Sequence, residues 1–158
     1  MKQTIKQTVF FFFFFLFALT VFVACKKENK SLTTVEKQLS AREWQITSIT
    51  RPKISNPAED SSIAKNCSTD DRLTFGINGN SRSFQFKDNS AKCDTTIFQY
   101  DNGAWLLNSS QNNLQLNGAI RLQNWKILLL NDSILKVQWL DSISTSNKVL
   151  KTITLKNK

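Results

Sequence analysis

The chain has 158 residues, with 21 Lys and Arg against 12 Asp and Glu, a net charge of +9 and 41% apolar residues. That length fits one domain. It contains no His, which excludes a Ser-His-Asp triad, a Cys-His pair, His-ligated metals and His acid–base chemistry. The apolar residues are unevenly spread: residues 1–24 hold 17 of them and eight of the twelve Phe. The 134 residues that follow are about 35% apolar, low for a globular domain but above the range of disordered chains.

Lys2 and Lys6 begin the chain, and no charge follows from Gln7 to Ala24. Phe10 to Phe15 is an unbroken aromatic run. A basic start, an apolar stretch and a small residue make the layout of a signal peptide. The stretch is at the short limit for a transmembrane helix. Phe22-Val23-Ala24-Cys25 resembles the lipobox of bacterial lipoproteins, although Phe22 stands where Leu is usual. The resemblance implies a signal peptide over residues 1–24, lipidation at Cys25 and a membrane partner through that anchor. The alternative is an uncleaved apolar anchor followed by an ordinary Cys. More than one acyl chain gives stable anchoring where a single chain is marginal.

Residues 25–38 are polar and lack a strand pattern, so they read as a flexible tether. The domain is expected over residues 39–158. Ser40-Ala41-Arg42-Glu43 hints at a helix or turn start, and residues 31–43 have room for one short helix. Without its leader the chain carries 19 basic and 12 acidic residues. Two Cys remain, Cys67 and Cys93. An even pair in an exported chain reads as a disulfide. It would close a loop of about 26 residues, worth about 3.5 kcal/mol in the chain-entropy model. Two free buried thiols are the other reading. Two Cys without His make a zinc site improbable.

After residue 39 the pattern is β throughout. Asn and Ser are abundant and supply turns. Trp44, Ile46 and Ser48 alternate with polar residues up to Pro52. Leu73, Phe75 and Ile77 alternate and meet Asn78-Gly79, a two-residue hairpin signal. Phe84 and Phe86 follow. Phe98 and Tyr100 precede Asp101-Asn102-Gly103, which reads as a turn; Trp105 and Leu107 come next. A turn-rich stretch spans Asn108 to Asn113. Leu114 and Leu116 end at Asn117-Gly118. Trp125 to Leu130 is apolar at every position but Lys126, as in a strand covered on both faces. Leu135, Val137 and Trp139 alternate, and Val149, Lys151, Ile153 and Leu155 close the chain. Eight to nine short strands without crossover helices pair antiparallel. The expected fold is all-β, a small up-and-down barrel of about eight strands, since closure removes sheet edges. A β-sandwich is the alternative.

Several segments together resemble a known family. They are Trp44-Gln45-Ile46-Thr47-Ser48-Ile49, then Cys67-Ser68-Thr69-Asp70-Asp71-Arg72-Leu73-Thr74-Phe75 with Asn78-Gly79 beyond it, then Cys93. Gly103-Ala104-Trp105-Leu106-Leu107, Trp125-Lys126-Ile127 and Leu135-Lys136-Val137 complete the order. The chain is similar to the lipocalin-like domain of Bacteroidetes lipoproteins from about Leu39 to Leu155. It departs from the family where Arg42-Glu43 replaces a Gly before Trp44, and where no Gly lies between Asn80 and Cys93. The resemblance implies a small calycin-type barrel and a cell-envelope, outer-membrane location.

Asp70-Asp71 are the most conspicuous acids. Calcium needs about six to eight oxygens, and no loop has that spacing. Adjacent strand residues also face opposite ways. Their expected roles are structural: Asp70 capping a turn, Asp71 pairing with Arg72 or Lys92. Trp44, Trp105, Trp125 and Trp139 lie on apolar strand faces and read first as core. The sharper reading has Trp44, Phe75, Phe84, Phe86, Trp105 and Trp139 lining a barrel cavity and contacting a small apolar ligand. The positive charge is dispersed, so no nucleic-acid partner is expected. No metal, cofactor or enzymatic activity is expected, and no Gly-x-Ser-x-Gly segment occurs. The expected function is a lipid-anchored binding protein for a small apolar ligand. The alternative is a structural or protein-interaction module with a filled barrel.

Overall fold

A computed structural model describes residues 31–92, 99–120, 122–142 and 148–158. Its elements are helix α1 (Thr34–Ser40), then strands β1 (Glu43–Pro52), β2 (Asp60–Ser62), β3 (Arg72–Asn78), β4 (Ser81–Lys87) and β5 (Gln99–Leu107). Strands β6 (Asn113–Gly118), β7 (Leu122–Leu130), β8 (Ile134–Ser142) and β9 (Lys148–Asn157) follow. A 3-10 turn over Asn66–Ser68 leads into β3.

The strands pair in the order β1-β3-β4-β5-β6-β7-β8-β9, and β9 returns to β1. Every pairing is antiparallel. The result is a closed eight-stranded barrel with one extra strand, β2, added to the far half of β1 through Thr50–Ser62. The all-β barrel expected from the turn rhythm is therefore the fold.

Side chains alternate across each strand. Leu73 and Phe75 of β3, Phe84 of β4, Trp105 of β5, and Leu114 and Leu116 of β6 point inward and are buried. Trp125 of β7, Leu135 and Val137 of β8, and Ile153 and Leu155 of β9 complete the ring. Register shifts interrupt three of these strand pairs, β1–β9, β4–β5 and β7–β8, and two of them re-aim the inward-facing apolar residues. One lies between Ile46 and Ser48 of β1, the other between Ile127 and Leu129 of β7. Each slips the alternation by one residue, so Ile46 and Ile49 both face the interior, as do Ile127 and Leu130.

One end is plugged. Thr33 caps α1: its hydroxyl accepts from the Glu36 N–H at 3.2 Å, and the Glu36 carboxylate accepts from the Thr33 N–H at 2.9 Å. Helix α1 covers residues assigned from sequence to the tether. Its Leu39 is fully buried, and the Leu39 carbonyl accepts from the Trp44 indole N–H at 3.0 Å. Below the helix, Arg82 donates two N–H groups to Glu36 Oε1 at 2.8 and 2.9 Å. The same guanidinium lies 5.8 Å from the centre of the Trp105 ring. Phe75 meets Trp105 edge-on at 5.6 Å.

Four local expectations are corrected. Asp101-Asn102-Gly103 is not a turn; all three lie in β5. There Gly103 faces Gly118 across the β5–β6 pair, and a Cβ on Gly103 would lie 1.9 Å from the Asn117 carbonyl oxygen. This Gly serves close backbone approach. At the β3–β4 hairpin Asn78 is the last strand residue, paired with Ser81, so Gly79 and Asn80 form the turn. Gly79 has φ +57, as the first position of a II′ turn requires. The run from Trp125 to Leu130 is not covered on both faces: Leu128 and Leu129 are exposed on the outside of the barrel. Its apolar continuity reflects the β7 bulge, which puts two neighbouring positions on one side. Finally, the helix starts from its cap Thr33, which forms a capping box with Glu36, and Ser40 to Glu43, expected as a helix or turn start, instead ends it and leads into β1.

Candidate functional site

The end of the barrel opposite α1 is open. It is built by the start of β3, the end of β4, the starts of β5, β7 and β9, and the end of β8. A cavity of about 530 Å³ enters there. Its apolar wall consists of Ile46, Ile49, Ile63, Phe86, Trp125, Trp139 and Ile153. Its polar lining consists of Lys65, Ser68, Asp71, Asp101, Gln123 and Lys151.

The aromatic part is set by register. Trp125 and Trp139 lie one step past the Lys126–Gln138 pair of β7 and β8. Their rings are 5.7 Å apart and tilted by 33°. The Trp125 indole N–H donates to the Gln123 side-chain Oε1 at 2.8 Å, which orients the ring. Phe86 reaches the cavity from the end of β4.

The acids are held by backbone. Asp101 is 8% exposed, and its Oδ1 accepts from the Asn102 N–H at 2.9 Å and the Ile120 N–H at 3.2 Å. A Cβ on Gly118 would sit 1.9 Å from Asp101 Oδ2. The missing side chain there makes room for the carboxylate. Asp71 precedes β3, is 2% exposed, and its carbonyl accepts from the Ile46 N–H at 2.9 Å. Its inward direction follows from the parity it shares with Leu73 and Phe75. Arg72, one residue on, pairs instead with Glu43 at 2.8 Å.

The segment from β2 to β3 forms one lip of the opening. The Ile63 N–H donates to the Ile49 carbonyl at 2.9 Å, which sets Ile63, Lys65 and Ser68 along the cavity. Asp70 fastens this lip to the loop after β4, its Oδ2 accepting from the Ala91 N–H at 2.9 Å and the Ser90 hydroxyl at 3.1 Å.

The residues picked out in the sequence divide along the barrel axis. Trp44, Phe75, Phe84 and Trp105 are buried in the core toward the plugged end, and none of them lines this cavity. Phe86 and Trp139 do line it. Cys67 lies in the 3-10 turn of the lip. Cys25 and Cys93 lie outside the described residues. The sequence reading treated Asp101 as part of a turn and Asp71 as structural, yet both line the cavity. Their signal was parity: each lies two positions before an inward apolar residue or glycine on its strand. Among the described residues, no group of three or more Cys, Asp or Glu could hold a metal ion. No helix among them is long and apolar enough to cross a membrane.

Residues 41–137 match the family model of the lipocalin-like domain. That span runs from just before β1 to the middle of β8. No curated protein matches the chain.

Proposed function

The chain belongs to the lipocalin-like domain family, and on that premise we propose that it is a lipid-anchored cell-envelope protein that binds a small apolar ligand in its barrel. The observation that carries this reading is the asymmetry of the interior. One end is plugged by α1, Arg82 and Trp105, and the other holds a cavity of about 530 Å³ walled by indoles, Phe86 and isoleucines. Ligand pockets typically measure about 300–1,000 Å³ and are mostly apolar with a few convergent polar groups. The role is binding rather than catalysis, on a chain without His.

The test is intrinsic fluorescence. Trp125 and Trp139 face the cavity, so fatty alcohols, sterols or haem that enter it quench or shift their emission. Trp139→Ala should weaken binding about tenfold, since one aromatic wall is lost. No spectral response across the ligand panel sinks the reading.

Anchoring is proposed at Cys25, with residence at the outer membrane in the manner of Bacteroidetes lipoproteins. Its support is the basic start, the apolar stretch and Ala24 before the Cys. Incorporation of radiolabelled palmitate should vanish in Cys25→Ala; equal labelling of both chains rejects it. A Cys67–Cys93 disulfide is proposed as well. It would reinforce the link between lip and loop that Asp70 makes with Ser90 and Ala91. Alkylation without reductant should then leave both thiols unmodified.

One observation favours the alternative, a protein-interaction module. Leu140 and Leu150 are paired across β8–β9 and exposed on the outer wall. A filled barrel, the other half of that alternative, does not suit a cavity of this size.

A further inference from the structure

We infer that the outer wall of β7, β8 and β9 is a docking face for an anionic lipid bilayer: its leucines enter the headgroup boundary and its lysines meet the lipid phosphates. This face lies outside the barrel and depends neither on the cavity nor on Cys25.

Charge is unevenly divided along the domain. Residues 31–101 carry nine basic and nine acidic side chains. Residues 102–158 carry seven basic and two acidic ones. The positive excess thus belongs to the half that supplies β6 to β9. Exposed apolar side chains follow the same division. Among the described residues, Ile54 is the one large apolar side chain exposed ahead of β5, whereas seven are exposed from Leu106 to Leu150.

Register brings the two sets onto one surface. Alternation turns Lys126 outward beside buried Trp125, Lys136 outward between buried Leu135 and Val137, and Lys156 outward after buried Leu155. Lys136 faces the exposed Leu129 across β7–β8. Leu140 faces Leu150 across β8–β9, and the exposed Lys148 lies two positions from Leu150 on the same side. Among the described residues, none of these four lysines makes an ion pair. Asp132, one of the two acids of this half, is taken by Arg42 at 3.0 Å.

An exposed apolar patch marks contact with a protein or a membrane, and its composition separates the two. Protein interfaces are enriched in aromatic residues, Met and Arg and depleted of Lys. On this wall the exposed apolar side chains are leucines, and the charged ones among them are lysines. A second copy seated face to face would set lysines against lysines, and like charges repel. An anionic bilayer takes both kinds of side chain. Lys stems lie along apolar surface while their heads reach outward, and each Lys near an anionic leaflet adds attraction.

The experiment maps lysine reactivity in the full-length chain carrying Cys25→Ala, so that no acyl chain at that Cys contributes. Brief treatment with acetic anhydride is read at each lysine by mass spectrometry. It is done without vesicles, on phosphatidylcholine vesicles, and on vesicles in which phosphatidylglycerol replaces part of the phosphatidylcholine. On the mixed vesicles Lys126, Lys136, Lys148 and Lys156 should react about fivefold more slowly than on phosphatidylcholine alone. Lys87 is the internal control: it is exposed on β4, four strands from β8 in the eight-stranded ring, and its rate should not change. In the double variant Leu140→Ser, Leu150→Ser the slowing at Lys148 should fall to about twofold or less, and far-UV circular dichroism checks that the β spectrum is kept. Equal lysine rates on the two kinds of vesicle overturn the inference and leave the wall to a protein partner. Equal slowing at Lys87 also overturns it, because no single face is then turned to the lipid. Slowing that grows with protein concentration in the absence of vesicles assigns the wall to a second copy and rejects the bilayer. Full slowing retained in the double variant rejects the part given to the leucines.

Discussion

Asp101 is the residue on which the open end turns. Its carboxylate is buried, held by two backbone donors, and accommodated only because Gly118 carries no side chain. Gly118→Ala places a methyl group into that carboxylate. Overpacking of this kind costs about 1–3 kcal/mol, which urea denaturation should register, and Asp101→Asn should cost much less. The aromatic residues make a parallel comparison. Trp105 is fully buried between Phe75 and Arg82. Trp105→Ala leaves a closed void and should cost about 3–5 kcal/mol. Trp139 borders space that is already open, so Trp139→Ala should cost about 2 kcal/mol or less while affecting ligand binding more. Direction into the barrel was legible in the sequence for all of these residues, because alternation sets it. Depth along the axis was not. It depends on strand register and on the bulges in β1 and β7, and so Trp44 and Trp139 looked equivalent. Asp-Asn-Gly is locally a turn signal, and only the partner strand reveals that Gly103 answers a close approach by Asn117.

At the level of the element, α1 closes the barrel chiefly through a few contacts. The helix has seven residues, too few for stability on its own. Its cap and the Glu36–Arg82 pair supply what length does not. Thr33→Ala should cost about 1 kcal/mol. Arg82→Ala should cost about 2–3 kcal/mol, below the usual figure for a buried pair because some solvent reaches both groups. The pair also sets an acid response. Burial pushes the Glu36 carboxyl upward, but the Thr33 N–H and the Arg82 guanidinium outweigh it and hold the group below its ordinary range. A depressed carboxyl stabilises the fold fully above the ordinary glutamate value, about pH 4.3. That contribution is lost as pH falls through the folded value. Urea midpoints at pH 5 and pH 3 should therefore differ more in the natural chain than in Glu36→Gln; an equal drop in both rejects the role. The helix was only half visible in the sequence. A short polar stretch with a single buried Leu39 looks like linker until the open end of a barrel is there to receive it.

For the molecule as a whole, the strand count and antiparallel order were legible because each strand is local: an alternating run bounded by Asn, Ser and Gly turns. The closing pair was not, since nothing in β1 or β9 alone names the other. That seam has a consequence in time. Trp44 lies opposite Asn157 and Thr50 opposite Thr152, so the first barrel strand waits for the last. Hairpins β3–β4 and β5 through β8 can form as the chain emerges, but the cylinder cannot shut until residue 157 is available. Contacts of such long sequence separation form slowly, and until then β1 and β9 are unpaired edges. Closure of the cylinder therefore comes last, and the chain is most exposed to aggregation while those two edges wait for each other.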